Sequence, residues 1–491
     1  MMSNQTLKLA KVVGWFAIMA SAVSQEYGAG INAVATSSIG TYPGIGNLVP
    51  LAMFVTGLLL IPKVFMFQRF GSVASSSGGE YTWMSRTVHP RVGFYIHFLY
   101  WAGIVAAIGF LAYTTGSTLA STLVSLGISG GAWFATFYGH LVIGLLIIWA
   151  IFAVHASGVK SYGYFVIALF FFVLAAALTS MYGGFSITQS SMSAALSSKI
   201  FHGPIPQVAL PSLTYNSFFG TIVLFVFAYG GLSAAPLLGG EAKNAKKDMP
   251  RGIVAAWLVA LIFFTLVALA VFHAISPSNA YALVKSGKSY YATVPGILSL
   301  TAPKILGDAL SIIVTIIIAK TVAPQMMAGS RTLFAWSEDS LVPKVFGHTN
   351  RFKAPDVALF FTALIGSLFL IETSYVGVSI VAIRSLSILF VILFLGVGVL
   401  MTSRKKEKKE WEKAVATTSM LIAAIAGIII TLIIVPSVAY VPHVSIFLQP
   451  SVQIIISLII AIVIYESARI YAKRKRGVDI SQEIKSHLPL E

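Results

Sequence analysis

The 491-residue sequence contains no cysteine, so it has no disulfide framework, no thiolate metal site and no cysteine nucleophile. Charge is scarce: Asp, Glu, Lys and Arg make up 10% of the chain, against about a quarter in soluble domains. Acidic residues are the scarcer sign, 16 against 33 basic. No His-x-x-His and no carboxylate cluster stands at metal-ligand spacing, so no metal and no cofactor is expected. No convergent set of acid, base or nucleophile appears either, which argues against an enzyme. The period-two alternation of barrel strands is missing too. Runs such as IIVTIIIA (312–319) are apolar almost throughout.

What the chain has is apolar surface: 57% hydrophobic residues and a mean hydropathy of +0.87. Apolar runs near 20 residues recur along its length, enough for a helix to cross a ~30 Å hydrocarbon core. This predicts an all-α polytopic membrane protein with twelve transmembrane helices. They are placed at 12–35, 46–67, 92–122, 133–154, 162–182, 216–239, 253–275, 305–333, 357–372, 376–401, 415–437 and 452–472. The first apolar segment lacks a small-residue cleavage site and reads as a mature helix rather than a signal peptide.

With the N-terminus placed in the cytoplasm, 27 of the 33 Lys and Arg residues fall in cytoplasmic segments and 4 in external ones. Lys320 and Arg384 lie within spans. Such asymmetry predicts a multi-pass protein of the cell membrane with both termini cytoplasmic. The net charge of +17 thus reports topology, and its spread over many short loops argues against nucleic acid as a partner. The Lys-rich runs at 404–413 and 472–477 read as contacts with anionic lipid.

Two spans carry an unexpected feature. The first contains SQEYGAGINAV (24–34), in which Gly28-Ala29-Gly30 follows a glutamate, Glu26, and precedes Ile31. The sixth contains FVFAYGGLSAAPLLGGEAKN (225–244), with Gly230-Gly231 at the matching place. Five helices separate them, an odd number, so the two run in opposite senses across the membrane. That is the trace of two inverted five-helix repeats whose first helices are interrupted. Unwound backbone at membrane depth must be satisfied by a ligand or by cavity water. Its N–H groups suit an anion and its carbonyls an ammonium, and a zwitterionic α-amino acid offers both. On the glycines alone, close helix packing explains the pattern equally well.

Four segments, in order, resemble the amino acid-polyamine-organocation (APC) superfamily of transporters. They are GAGI (28–31), SSGGEYTWMSRTVHPRVGF (76–94), FVFAYGGLSAAPLLGGEAKNAKKDMPRGI (225–253) and AGSRTLFAWSEDSLVPKVF (328–346). The resemblance implies the LeuT-type 5+5 inverted repeat with helices 1 and 6 broken and two peripheral helices. Residues 1–184 would form the first repeat, 185–215 an external connection, 216–403 the second repeat, and 404–491 helices 11 and 12 with a basic tail. It implies a secondary active transporter moving amino acids by alternating access; coupling to protons or exchange rather than sodium is expected, but the departures given below mean that it is not carried over from the family. The alternative is a polyamine, purine or other organic-cation carrier of the same fold. It also implies a carboxylate site at the amides of Gly28, Ala29, Gly30 and Ile31. The ammonium would meet carbonyls near Phe227, Ala228 and Tyr229, which also gate the site, with Gly230 and Gly231 as the hinge. A monomer or weak homodimer and a prokaryotic source are expected.

The chain departs from the family at Gly231-Leu232-Ser233, where relatives often carry a glutamate, and at Asn244-Ala245, where Asn-Pro is usual. Its one helix 5 lysine, Lys160, stands at the start of that helix.

Glu26, Lys320 and Arg384 are read as intramembrane charges, and each calls for a partner or a task. Glu26 precedes the first break, and Lys320 sits in the middle of the eighth span. We expect these two to meet, either as a coupling device in which Lys320 replaces a cation or as a static salt bridge. Glu26 meeting a cationic substrate side chain is a further reading. Arg384 is expected to snorkel or to pair with Glu372. Glu241 reads as a loop contact, His97 and His140 as satisfied interior histidines, and the aromatics from Phe94 to Trp101 as packing.

Overall fold

The structure is a computed structural model, described over residues 13–486 apart from 29, 76–77, 158–161, 240–241, 302–303, 353 and 438–444. Ala29, Lys160 and Glu241 lie outside the described residues. Every regular element among those described is helical. Among the described residues nine helices are long and apolar enough to span a bilayer, or ten if a pair bent by 95° near residue 187 counts as one span. The expected first span is absent from that count because it is broken into pieces of 12 and 7 residues around a π-turn, and the eleventh is 17 residues long.

The first span comprises α1 (Trp15–Glu26), the π-turn Gly30–Val34 and α2 (Ala35–Thr41). The second is α3 (Val49–Leu59) followed by α4 (Ile61–Val73), each opened by a proline, Pro50 and Pro62, where a missing N–H does no harm. A short α5 (Gly79–Thr87) leads into α6 (Pro90–Ser125), the hub of the molecule. The most apolar stretch of α6 is 94% buried, so it is solvated by protein rather than lipid. Pro90 opens α6, and the Nδ1 of His89 accepts the Arg91 amide at 3.1 Å. That requires a neutral imidazole, and burial together with Lys485 and Arg91 holds His89 below its ordinary range.

Next come α7 (Phe137–Ala156), α8 (Tyr162–Ser186) and α9 (Gln189–Ala195). The second half opens with α10 (Tyr215–Val226), a 3₁₀ segment Ala228–Ser233 and α11 (Ala234–Leu237). It continues through α12 (Ala245–Ala274), α13 (Pro277–Lys285), α14 (Val294–Ser299), α15 (Lys304–Glu338), α16 (Asp356–Val376) and α17 (Val381–Ser403). After α18 (Glu410–Val415) come α19 (Thr418–Ile434), α20 (Pro450–Arg476) and α21 (Ile480–Ser486). The apolar stretch of α20 is only 17% buried, so that helix is peripheral and its outer face meets lipid.

Close approach at α6 depends on glycine. A Cβ on Gly109 would lie 2.4 Å from the Phe369 carbonyl carbon and 2.5 Å from the Leu370 amide nitrogen of α16. Backbone cannot give way cheaply, so Gly109→Val is expected to destabilise by about 1–3 kcal/mol. A lower midpoint of thermal unfolding in detergent checks this, and an unchanged midpoint contradicts it.

The first span is tied down at both ends. At one end, Lys243 N donates to Val13 O at 2.9 Å, and elsewhere the ion pair Arg86–Asp339 (3.0 Å) joins α5 to the chain just beyond α15. Tyr81 also hydrogen-bonds Asp339. At the other end, the Thr36 hydroxyl donates to the Ala292 carbonyl. There α9 and its connection cover α13 and α14, through Asn279 Nδ2 to Ser193 Oγ (3.0 Å) and Lys199 Nζ to Leu300 O (2.7 Å).

Candidate functional site

Both glycine motifs interrupt their helices. α1 stops at Glu26, and the chain turns through Tyr27 (φ −77°, ψ 88°) before the π-turn begins at Gly30. α10 stops at Val226, and the next six residues tighten to 3₁₀ before α11. The two interruptions lie against each other: a Cβ on Gly30 would stand 2.6 Å from Ala228 Cα. A Cβ on Gly231 would meet Glu26 Cγ and Glu26 N, each at 2.6 Å, and Ala22 O at 2.8 Å. One on Gly28 would meet Thr321 Oγ1 of α15 at 2.8 Å. The glycines thus serve close packing and helix interruption together.

The surrounding side chains are interior. Ile31, Ala228 and Tyr229 are fully buried, and Phe227 packs edge-on against Phe110 of α6 at 5.6 Å. Tyr229 hydroxyl donates to Met53 O at 3.2 Å and its ring meets Phe264 at 5.1 Å. Asn32 reaches back to the broken turn, its Nδ2 donating to Gly28 O at 2.9 Å. Asn32 was missed in the sequence because a lone amide two residues after the glycines carries no pattern.

Glu26 and Lys320 do not form the expected ion pair. Lys320 Nζ donates instead to the backbone carbonyl of Ser24. That carbonyl belongs to the last turn of α1, where the dipole end favours a cation. Residues two apart on a helix point to nearly opposite faces. Lys320 thus engages the α15 side of α1, while Glu26 lies over Gly231 and its nearest opposite charge is Lys63 of α4. Lys63 was counted with the cytoplasmic residues, yet it is fully buried.

Arg384 departs from expectation as well. It neither snorkels nor meets Glu372, whose carboxylate takes the Gln453 amide. Its guanidinium turns inward, with Nη2 donating to Tyr100 hydroxyl at 2.9 Å and the group lying 4.0 Å over that ring. A Cβ on Gly230 would stand 3.9 Å from Arg384 Nε. His140 is satisfied by the Tyr113 carbonyl at 2.9 Å, whereas both ring nitrogens of buried His97 lack a hydrogen-bond partner. The aromatics from Phe94 to Trp101 pack with Trp336 in one cluster, as expected.

The sequence model of a family described as amino acid permease matches residues 13–464, a stretch that includes all four resembling segments and both helix breaks. The chain belongs to the amino acid permease family. It thereby falls in the APC superfamily of membrane transporters. Among similar proteins, the branched-chain amino acid permease BcaP of Lactococcus lactis is 23% identical over 77% of this chain and 81% of its own length. The serine/threonine exchanger SteT of Bacillus subtilis is 22% identical over 85% of this chain and 90% of its own. The lysine-specific permease LysP of Lactococcus lactis is 21% identical over 64% and 61%. This permease is therefore an amino acid transporter by family, and its relatives span apolar, hydroxylated and cationic substrates.

Proposed function

We propose that the chain is a secondary active permease of the cell membrane, carrying amino acids by alternating access in a twelve-span 5+5 inverted-repeat fold. Both termini face the cytoplasm. The contact of Gly30 with Ala228 carries this reading, because it joins the two interrupted helices in one buried place. The substrate carboxylate meets the amides of Gly28, Ala29, Gly30 and Ile31, and its ammonium meets carbonyls at Phe227, Ala228 and Tyr229. Gly230 and Gly231 act as the hinge. Lys320 fixes α15 to the last turn of α1 with its own positive charge, which supports proton coupling or exchange over sodium coupling.

Uptake into proteoliposomes tests this, with twenty amino acids and putrescine offered with and without a pH gradient. At least one amino acid is expected to accumulate and to compete with its neighbours. Transport of putrescine with no amino acid carried would overturn the reading in favour of a polyamine carrier. Lys320→Ala is expected to lower uptake of the accumulated amino acid at least tenfold, since it removes the tie between α15 and the last turn of α1.

A further inference from the structure

Behind the two breaks lies a second group of ionisable side chains drawn from five parts of the fold. Glu26 ends α1, Lys63 lies in α4, Glu80 in α5, His97 and Tyr100 in α6, and Arg384 in α17. All six are nine-tenths or more buried. Glu80 lies 4.0 Å from His97, and its other charged neighbours are Lys63 and Arg384. Lys63 faces Glu80, Arg384 and Glu26. Arg384 is also held over Tyr100.

The hydrogen bonds of this group are strikingly incomplete for so interior a place. Lys63 Nζ, Glu80 Oε1, both nitrogens of His97, and Nε and Nη1 of Arg384 have no hydrogen-bond partner among the described residues, while Glu26 has only the Leu232 amide beside it and Glu80 the Ser233 hydroxyl. Buried polar groups are ordinarily paired, so a cluster left this open marks a functional place rather than a structural lock.

We propose that this cluster is the permease's proton-binding site, with Glu26 as the group that takes the proton. The inference rests on the permease reading above. Two opposed demands meet at Glu26. Glu26 is buried at the C-terminal end of α1, where the helix dipole opposes a negative charge, and Lys63 of α4 attracts one. With Glu26 and Glu80 ionised and Lys63 and Arg384 charged the cluster is neutral, and protonation of Glu26 leaves it one positive charge in excess. At Glu80 burial is the larger influence and favours the neutral acid, against the pull of Lys63 and Arg384. A small change in the distance from Glu26 to Lys63 therefore decides which form is held.

That distance is tied to the substrate site. Glu26 lies on Gly231, and its charge also reaches Tyr229 of the same 3₁₀ segment. Lys320 holds the Ser24 carbonyl from the other side. The remaining helices against α1 bring no charge to this depth: α8 carries no Asp, Glu, Lys or Arg, and those of α12 lie at Lys246, Lys247, Asp248 and Arg251 in its first turns, with His273 at its far end. Motion of the breaks relative to α4 thus moves Glu26 relative to Lys63. By linkage, the proton must bias that motion in return. The proton enters as a new O–H on Glu26 from water on one side and leaves to water on the other, with no other bond made or broken.

The test uses full-length protein in proteoliposomes and the amino acid found to accumulate. Counterflow at equal pH reports substrate exchange, and accumulation under an inward proton gradient reports coupling. A trapped pH dye counts protons per substrate. For wild type we expect about one proton per substrate. For Glu26→Gln we expect the ratio of accumulation to counterflow to fall at least tenfold and proton movement to vanish. Glu80→Gln is expected to shift the pH midpoint of accumulation by about one unit.

Wild type that exchanges without moving protons, or Glu26→Gln that keeps its proton count, overturns the proton site and leaves the permease reading standing. Wild type that shows no counterflow of any amino acid overturns the permease reading and the proton site with it. If Glu26→Gln does not fold, Glu26→Asp keeps the acid but lengthens the gap to Lys63. Its pH midpoint is then expected to move, and an unmoved midpoint overturns the proposal.

Discussion

Gly231→Val is expected to reduce transport by at least a hundredfold while the protein still reaches the membrane and elutes as a single species. The side chain would begin 2.6 Å from the Glu26 amide nitrogen and 2.8 Å from the Ala22 carbonyl oxygen, both backbone atoms of α1. Neither can swing aside as a side chain would, so the 3₁₀ segment and α1 must separate. Overpacking of this kind costs about 1–3 kcal/mol or somewhat more, and every ~1.4 kcal/mol is a factor of ten in an equilibrium. The strain falls between the two breaks, where the proposed substrate site lies, and not in the scaffold around α6. Substrate affinity and uptake should both fall, whereas Gly109→Val should lower stability first. If Gly231→Val transports at the wild-type rate, the two breaks do not need their present contact. Glu26→Ala added to Gly231→Val should restore little, because it removes the clash with Cγ but leaves those with the backbone.

The helix breaks were legible in the sequence because they depend on local chemistry. Glycine pairs in otherwise apolar runs weaken a helix wherever they stand, and the odd separation of the two runs already implied opposed directions. Composition likewise settled the all-α membrane class, since lipid solvation acts on every residue of a span. The number of spans was less legible. The first expected span is interrupted by its glycine motif, and α19 gives way after 17 residues to a 3₁₀ turn at Val435. Hydropathy measures how apolar a stretch is but not where its helix stops.

The charges were misplaced for a different reason. The charge count places Lys63 with the cytoplasmic residues, and Arg384 is expected to snorkel or to pair with Glu372. Distance along the chain was standing in for distance in space. In the fold, Lys63 and Glu80 are brought together by the turn between α4 and α5, and Arg384 reaches them across 300 residues through the packing of α17 on α5 and α6. Glu26 and Lys320 illustrate the converse: their helices do meet, and the lysine still chose a carbonyl two residues away from the expected acid. Rotation about the helix axis decided that, and no spacing in one segment reveals rotation relative to another.

At the Val13 end of the molecule, breaking the Arg86–Asp339 pair is expected to open the permease. The two side chains are 7% and 16% exposed and meet twice, Nη1 to Oδ2 at 3.0 Å and Nη2 to Oδ1 at 3.2 Å. Tyr81 adds a third bond to the same carboxylate. The pair joins α5 to the chain just beyond α15, and with the sequence's cytoplasmic placement of Arg86 and Lys243 it belongs to the same side as the Val13 bridge. Removing one member of such a buried pair costs about 3–5 kcal/mol, because the other loses the opposite charge it was buried against. Separating α5 from α15 relieves that penalty by letting water reach the arginine. Asp339→Ala should therefore shift the population toward a form open at this end. The absence of native cysteine makes the measurement direct. A single cysteine at buried Ser21 on α1 should be alkylated at least tenfold faster in Asp339→Ala than in the otherwise unchanged chain. The exchanged pair Arg86→Asp with Asp339→Arg should return the rate most of the way, because charge attraction across the gap is restored even though the Tyr81 bond is lost. Equal rates in all three proteins would show that the end is held shut by the backbone bridge at Val13, with the ion pair a bystander.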